Sequence, residues 1–243
     1  MNSLPENIVA RLHEAAERQT TYVPNTKVQA KISHKTLGMI IAPTTMGKTF
    51  VMNRAIQLDK NFARVSVLTT REPRPDDHGM FRYYQKTEQD LGKLLDKIDA
   101  GDLVQYAVFP HSGQIYGSEA SDFPRPYNLL ATLSNAVAQL EQVGLRSTVP
   151  IGLIAHPKVW REWFDARYQN RQSDRPARLQ EALTSLEWLL SHEEVRWLIN
   201  EPGRVDTVAR ELIQLVTHKP SQQNKTAQEY AHRLHDQISR MLE

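Results

Sequence analysis

The sequence predicts a three-layer α/β fold with a mostly parallel central sheet. One observation is an apolar run, residues 37–41, which leads into Gly47-Lys48-Thr49 and then into a helical pattern. The other is the alternation of short apolar runs with amphipathic stretches, which is typical of a parallel sheet covered by helices. We therefore expect a fold built around a phosphate-binding loop (P-loop), with helical extensions at both ends of the chain.

The elements can be assigned in order along the chain. Ile8, Leu12 and Ala15 share one face of an amphipathic helix. Residues 20–36 look like a linker, with weak strand-like alternation at residues 28–32. After the P-loop helix we predict strands at 63–69, 103–109, 114–117, 150–155 and 195–200, and helices around 91–98, 179–190, 205–216 and 230–241.

Composition limits the classes of function. The 243 residues, 40% hydrophobic and 24% charged, suit one main domain with appendages. A net charge of +2 suits phosphorylated ligands but is too small for a nucleic-acid surface. The chain has no cysteine and no apolar run of membrane-spanning length, and we expect no secretory signal. We expect a cytoplasmic protein that binds neither nucleic acid nor membrane.

The segment 44–49, Thr-Thr-Met-Gly-Lys-Thr, carries the first phosphate chemistry. Backbone N–H groups of such a loop point at phosphate oxygens, and Lys48 reaches the outer phosphates. The hydroxyl of Thr49 is placed to hold Mg²⁺. The apolar strand before the loop and the helical pattern after it supply the context that this motif needs, so the segment predicts a nucleoside triphosphate site.

A second phosphate site is predicted at Thr-Thr-Arg-Glu-Pro-Arg, residues 69–74. Arg71 and Arg74 are spaced so that each can fork onto phosphate oxygens, and Tyr83 and Tyr116 can add hydroxyl donors. The alternative is a solvated basic turn stiffened by proline. Two phosphate sites in one chain predict a kinase.

Arginines accumulate in the segment 161–178, which has the polar spacing of a phosphate-closing lid. Arg167 and Arg178 are the favoured lid arginines. The remaining three, Arg161, Arg171 and Arg175, are equally well explained as a solvated face. Phosphoryl transfer needs neutralisation of developing negative charge rather than a protein nucleophile, which Lys48, Mg²⁺ and lid arginines can supply.

These motifs, in this order, resemble the guanylate kinases over residues 37 to 216. The arginine motif is followed by Tyr83 at the family's spacing, and Leu103–Ser118 ends in the family's Tyr-Gly-Ser. Further matches are Ile154–Pro157, Ala177-Arg178-Leu179 and Ile199-Asn200. The resemblance implies a kinase domain at 37–217, with a nucleotide-binding insert at 70–127 and a lid at 160–178, flanked by extensions at 1–36 and 218–243.

The resemblance also implies a reaction and its residues. ATP with Mg²⁺ would phosphorylate a nucleoside monophosphate, in cytoplasmic nucleotide metabolism. The implied ATP-binding set is Thr44, Thr45, Met46, Gly47, Lys48, Thr49 and Asn200, with Thr49 on the metal. The implied monophosphate-binding set is Arg71, Arg74, Tyr83, Gln105, Tyr116 and Ser118. The implied catalytic set is Lys48, Arg167 and Arg178.

The chain departs from the family at the base subsite. Gln105 stands where the family has a guanine-binding glutamate, and 130–134, where an Asp-x-Asp is expected, contains no carboxylate. Val67 replaces a serine, and 76–77, Asp-Asp, replaces Gly-Glu. GMP or dGMP is the first expectation. The alternatives are a non-catalytic nucleotide- or protein-binding module and a P-loop kinase for another phosphorylated small molecule.

Some candidates have ordinary structural explanations. Gln105 can also be a solvent-facing strand residue, and 76–78, Asp-Asp-His, follows a proline in a turn that we expect to be solvated. Trp160 and Trp163 fill a core or cover a ligand. The apolar stripes of the terminal helices are consistent with covering the core and with forming a homodimer.

Overall fold

The computed structural model describes residues 4–73, 77, 79, 81–109, 112–218 and 224–243. The helices are α1 Glu6–Arg18, α2 Thr26–Ile32, α3 Lys48–Leu58, α4 Glu88–Asp99, α5 Val137–Gln142, α6 Pro157–Tyr168, α7 Arg175–Ser191, α8 Val205–Thr217 and α9 Lys225–Leu242. The strands are β1 Thr36–Ile41, β2 Phe62–Arg64, β3 Val67–Thr69, β4 Phe81–Tyr83, β5 Gln105–Phe109, β6 Gln114–Ser118, β7 Tyr127–Ala131, β8 Ser147–Ile154 and β9 Arg196–Ile199.

The chain divides into two compact units. The first comprises Met1–Lys35, Val65–Pro126 and Ala138–Ser147, and the second comprises Thr36–Arg64, Tyr127–Val137 and Thr148–Glu243. The N-terminal segment therefore belongs to the same unit as most of the predicted nucleotide-binding insert.

The second unit is built on a sheet with the strand order β2-β7-β1-β8-β9 among the described residues. β7 pairs in parallel with both β1 and β2, and β8 pairs in parallel with β9. All six residues of β1 are buried, as expected for a central strand covered on both faces. Gly38 lies where a Cβ would come 2.8 Å from Val216 Cγ2, so the strand and α8 pack too closely for a side chain. This unit confirms the predicted α/β fold with its parallel sheet.

The first unit is built on a smaller sheet with the order β4-β3-β6-β5 among the described residues. β3 and β4 are parallel, whereas β6 runs antiparallel to both β3 and β5. One face of this sheet packs on a core shared with α1 and α4, whose members include Leu12, Leu94 and Ile115. The other face carries Tyr83, Gln105, Tyr116 and Ser118 of the predicted monophosphate-binding set.

Two predictions about secondary structure were wrong. The run 63–69 is not one strand, because β2 and β3 belong to different sheets. Residues 28–32 form part of helix α2 rather than a weak strand, since Asn25 caps the helix by accepting a hydrogen bond from Val28 N at 3.0 Å. Val28 and Ile32, four residues apart, share the buried face of the helix, whereas Ala30 between them is exposed.

The apolar stripes of the terminal helices are buried within the chain. α9 packs on α7, α6 and β9, and its buried residues are Ala227, Ala231, Leu234 and Ile238. α1 contributes Ile8 and Leu12 to the core of the first unit. We expected the terminal helices either to cover the core or to form a dimer. Both helices cover the core. Among the described residues, no helix is long and apolar enough to cross a membrane.

Candidate functional site

The P-loop follows β1 in the second unit and ends at the first residue of α3. Gly47 has φ 80°, a left-handed conformation that suits glycine. A Cβ at this position would lie 2.5 Å from Asn200 Nδ2, which itself donates to Met46 O at 2.9 Å. Asn200, predicted to bind ATP, is thus engaged in holding the backbone of the loop.

Two features of the loop match the predicted phosphate site: the state of its backbone N–H groups and the position of Lys48. Within the described residues, the backbone N–H groups of residues 44–48 make no hydrogen bond to other protein groups. Lys48 Nζ donates to Ala42 O at 2.7 Å and to Pro43 O at 3.4 Å, so its amine lies over the loop. Free N–H groups and a nearby cation are what a phosphate needs at a helix N-terminus.

The electrostatics of the loop depend on Lys48. Burial lowers the pKa of Lys48 to about 8; the charge of Glu181 opposes this, and those of Arg167 and Arg178 add to it. Arg178 Nη1 donates to Glu181 Oε2 at 2.5 Å. The structure thus places Arg167 and Arg178 close enough to Lys48 for their charges to act on its amine. Glu181 was missed from the sequence, although its position three residues after Arg178 on a helix was a usable signal.

Two aromatic side chains of α6 hold the start of the loop. Trp160 Nε1 donates to Thr44 O at 3.0 Å, and the hydroxyls of Tyr168 and Thr44 lie 3.1 Å apart within hydrogen-bonding distance. Trp160 is fully buried and does not cover a ligand site as one expectation had it. The four-residue spacing of residues 160, 164 and 168 was the sequence signal for this contact.

The other arginines of the predicted lid differ in their surroundings. Arg161 Nε and Arg175 Nη2 both donate to the carboxylate of Asp165, each at 2.6 Å. Arg175 also lies 4.9 Å from the ring centroid of Phe164. Arg171 is exposed. Arg161 and Arg175 are therefore ion-paired on α6 and α7.

In the first unit, Arg71 is buried and already paired. Its guanidinium donates to Asp77 Oδ2 at 2.8 Å and, through Nη2, to Asp77 Oδ1; the side chains are only 6% and 10% exposed. The guanidinium also lies 4.5 Å from the ring centroid of Phe81. The hydrogen bond to Asp77 raises the pKa of Arg71. The prediction of a solvated Asp77 was wrong, because a buried arginine requires a counter-charge.

The two predicted phosphate-binding tyrosines lie on one face of the small sheet. Thr69 is in register with Tyr83 of β4 on one side and with Tyr116 of β6 on the other. The Tyr83 hydroxyl donates to the same Asp77 carboxylate that Arg71 holds. Arg74 lies outside the described residues. Three of the predicted phosphate donors therefore share one face, and two of them hold a carboxylate.

The predicted base-binding residues are also adjacent. Gln105 and Ser118 are paired across β5 and β6, and Gln105 Nε2 donates to Ser118 Oγ at 3.4 Å. Both side chains are buried, so the expectation of a solvent-facing Gln105 was wrong. A buried amide beside a hydroxyl offers both donor and acceptor groups, without the negative charge of a glutamate.

Both the sequence and the structure of the chain are similar to those of known proteins. No protein-family model matches the chain. A curated guanylate kinase from Chlamydia felis (strain Fe/C-56) is 29% identical over 150 residues, which cover 59% of this chain and 69% of the relative. A solved structure of guanylate kinase from Anaplasma phagocytophilum matches with a TM-score of 0.47 and 14% identity, covering 86% of this chain and 95% of that one. The sequence relative confirms the resemblance inferred from the motifs.

Proposed function

We propose that this chain, which is 29% identical to a guanylate kinase over 150 residues, transfers the terminal phosphoryl group of ATP to a nucleoside monophosphate. The observation that carries this proposal is the P-loop of the second unit, with its unbonded N–H groups and the cations of Lys48, Arg167 and Arg178. The acceptor phosphate would lie on the first-unit face that bears Arg71, Tyr83 and Tyr116.

The reaction needs no protein nucleophile. An oxygen of the acceptor phosphate attacks the γ-phosphorus of ATP, the bond to the β–γ bridging oxygen breaks, and ADP and a nucleoside diphosphate result. Lys48 and the lid arginines would neutralise charge that develops on the transferring oxygens. The unbonded N–H groups of the loop would hold the phosphates of ATP in place for this transfer.

Mg²⁺ is expected to enter with ATP. The chemistry of the donor set fits this role, since Thr49 offers a hard hydroxyl oxygen directly after Lys48. The described residues contain no group of three acidic or histidine side chains arranged for a metal. Thr49 and the phosphate oxygens would therefore hold the ion, which neutralises phosphate charge when bound.

GMP or dGMP is the proposed acceptor. Gln105 and Ser118 form a buried polar pair at the implied base subsite, and an amide can both accept from and donate to a guanine edge. The pair lacks the charge assistance of the family's glutamate. We therefore propose weaker discrimination among bases than a glutamate would give.

A second candidate is a binding module without turnover. The absence of a carboxylate from residues 130–134 and the occupation of Arg71 by Asp77 favour it. The intact Gly47-Lys48-Thr49 favours catalysis. A third candidate, a kinase for another phosphorylated small molecule, uses the same P-loop without base contacts.

One assay separates the three. ADP release would be measured with MgATP and each of GMP, dGMP, AMP, CMP, UMP, dTMP and ribose 5-phosphate, with Lys48→Ala as the inactive control. Lys93→Ala, a change at an exposed lysine of α4, is the matched control and should behave as wild type. GMP- or dGMP-stimulated release that depends on Lys48 supports the proposal. Failure of every acceptor to stimulate Lys48-dependent release would overturn the kinase function.

A further inference from the structure

The first part of the P-loop, residues 42–46, contains no glycine. Residues 42–46 read Ala-Pro-Thr-Thr-Met, and Thr45 adopts φ 65°, a conformation that β-branched residues rarely adopt. A residue in such a conformation persists only where surrounding contacts fix it. The contacts that hold this loop come from α6 and from Asn200, which follows β9.

The two α6 contacts both reach Thr44, the residue before the unusual backbone. Trp160 Nε1 holds the carbonyl at 3.0 Å, and the Tyr168 hydroxyl lies 3.1 Å from Thr44 Oγ1. Because a trans peptide is planar, the N–H of Thr45 points away from the carbonyl that Trp160 holds. Fixing this carbonyl therefore fixes the direction of the next N–H group.

The far end of the loop is fixed in the same way. Asn200 Nδ2 donates to Met46 O at 2.9 Å, which orients the N–H of Gly47 by the same argument. The loop thus has two carbonyl anchors, one from α6 and one that follows β9. Of these anchoring residues, only Asn200 belongs to the ATP-binding set that the family resemblance implied.

The α6 anchors are themselves rigid. Trp160, Phe164 and Tyr168 form a column one helical turn apart, with ring centroids separated by 4.9 Å and 4.8 Å. All three are buried, and the Arg175 guanidinium lies over the ring of Phe164. Buried, close-packed rings have few alternative rotamers, so the hydrogen-bonding atoms at each end of the column are held in place.

We propose that Trp160 and Tyr168 are positioning residues for the donor nucleotide: they hold Thr44 so that the P-loop N–H groups are set for the phosphates of ATP. This inference rests on the proposed function. The proposed role differs from core packing alone. It assigns the effect on ATP binding to Trp160 Nε1 and the Tyr168 hydroxyl, and not to the aromatic rings.

Tyr168→Phe and Trp160→Phe test this assignment by removing those atoms. We expect each to raise the Kd for MgATP by roughly fivefold to tenfold, the effect of losing one hydrogen bond that orders a site. The KM for the acceptor should stay within about twofold, because no acceptor group touches this loop in the proposed reaction. Isothermal titration of the full chain gives the Kd, and thermal unfolding without nucleotide gives the Tm.

Matched controls separate the atoms from the rings. Trp197→Phe shrinks another buried tryptophan of the same unit, whose Nε1 has no hydrogen-bond partner among the described residues. Tyr22→Phe removes a hydroxyl that donates to Leu103 O at 2.7 Å in the first unit. Both should lower the Tm and leave the Kd for MgATP unchanged.

Thr44→Val tests the same contact from the loop. It removes only the hydroxyl that faces Tyr168, so the double variant with Tyr168→Phe should weaken ATP binding no more than either single change. Additive losses, or a Kd for MgATP unchanged in both α6 variants, would overturn the inference. Wild-type protein that does not bind MgATP at all would instead overturn the proposed function, so the two failures are distinguishable.

Discussion

The cations of the two predicted phosphate sites have different partners, and their pKa values are shifted in opposite directions. Lys48 donates to backbone carbonyls, and burial lowers its pKa to about 8. Arg71 is held by the Asp77 carboxylate, which raises its pKa. The donor site therefore keeps an incompletely compensated cation in a loop of unbonded N–H groups, whereas the cation of the acceptor site already has an anion. The first arrangement favours binding a new anion, and the second makes an acceptor phosphate share Arg71 with Asp77.

The largest expected effect is on the stability that the Arg71–Asp77 pair contributes. Arg71→Met leaves Asp77 buried without its main counter-charge, which should lower the free energy of unfolding by about 3–5 kcal/mol. Urea unfolding followed by far-UV circular dichroism measures this. Arg204→Met is the matched control, because the Arg204–Glu201 pair is exposed and should contribute less than about 0.5 kcal/mol. A loss below about 1 kcal/mol for Arg71→Met would mean that the pair is not the buried unit described above.

The opposite result is expected at Lys48. Lys48→Met removes a desolvated charge, so the protein without nucleotide should gain about 1–3 kcal/mol at pH 7 while it loses ATP binding. The pH dependence follows from the lowered pKa. Between pH 8 and 10.5 the native protein has lost this proton while the unfolded chain retains it, so wild-type stability rises with pH and the advantage of the variant shrinks.

Urea unfolding from pH 7 to 10 checks this prediction, with Lys93→Met as the control at an exposed lysine. If Lys48→Met is less stable than wild type at pH 7, Lys48 is not a destabilising desolvated charge, and the donor site does not differ from the acceptor site in this respect.

A smaller effect separates the base subsite from the phosphate subsite. If GMP is turned over, Gln105→Glu should raise kcat/KM for GMP by about tenfold, because a carboxylate gives charge-assisted hydrogen bonds to guanine donors. Steady-state assays with GMP and AMP measure this, and AMP should gain nothing. Gln114→Glu, at the other end of the β5–β6 pairing, is the control. A fall in kcat/KM for GMP would exclude Gln105 from the base subsite.

The two sites also differ in how much of their structure could be predicted from the sequence. The P-loop and the parallel sheet were predictable because their signals are local: an apolar strand, Gly-Lys-Thr and an amphipathic helix. The burial of Asp77 was not, since nothing in a turn after proline indicates that an arginine six residues earlier will fold back onto it. The Trp160–Thr44 contact spans 116 residues, and only tertiary packing decides it.

The same distinction explains the errors in secondary structure. The run 63–69 is uniformly strand-like, and the place where it leaves one sheet for another is set by pairing partners far along the chain. Strand β4 has three residues, too few for periodicity to identify. By contrast, α8 and α9 carry long apolar stripes, and the sequence located both within a few residues.

The smallest predicted effect is a pH dependence confined to the donor site. Phosphate contacts favour protonated Lys48, so MgATP binding should weaken as pH rises through about 8. With that pKa the protonated fraction falls about fourfold between pH 7 and 8.5, and the Kd should rise by about the same factor. Titration calorimetry of MgATP at several pH values measures the change. In Lys48→Arg the guanidinium stays protonated throughout, so whatever affinity remains should not vary over this range. An equally steep dependence in Lys48→Arg would assign the proton to another group and remove Lys48 as the source of the contrast.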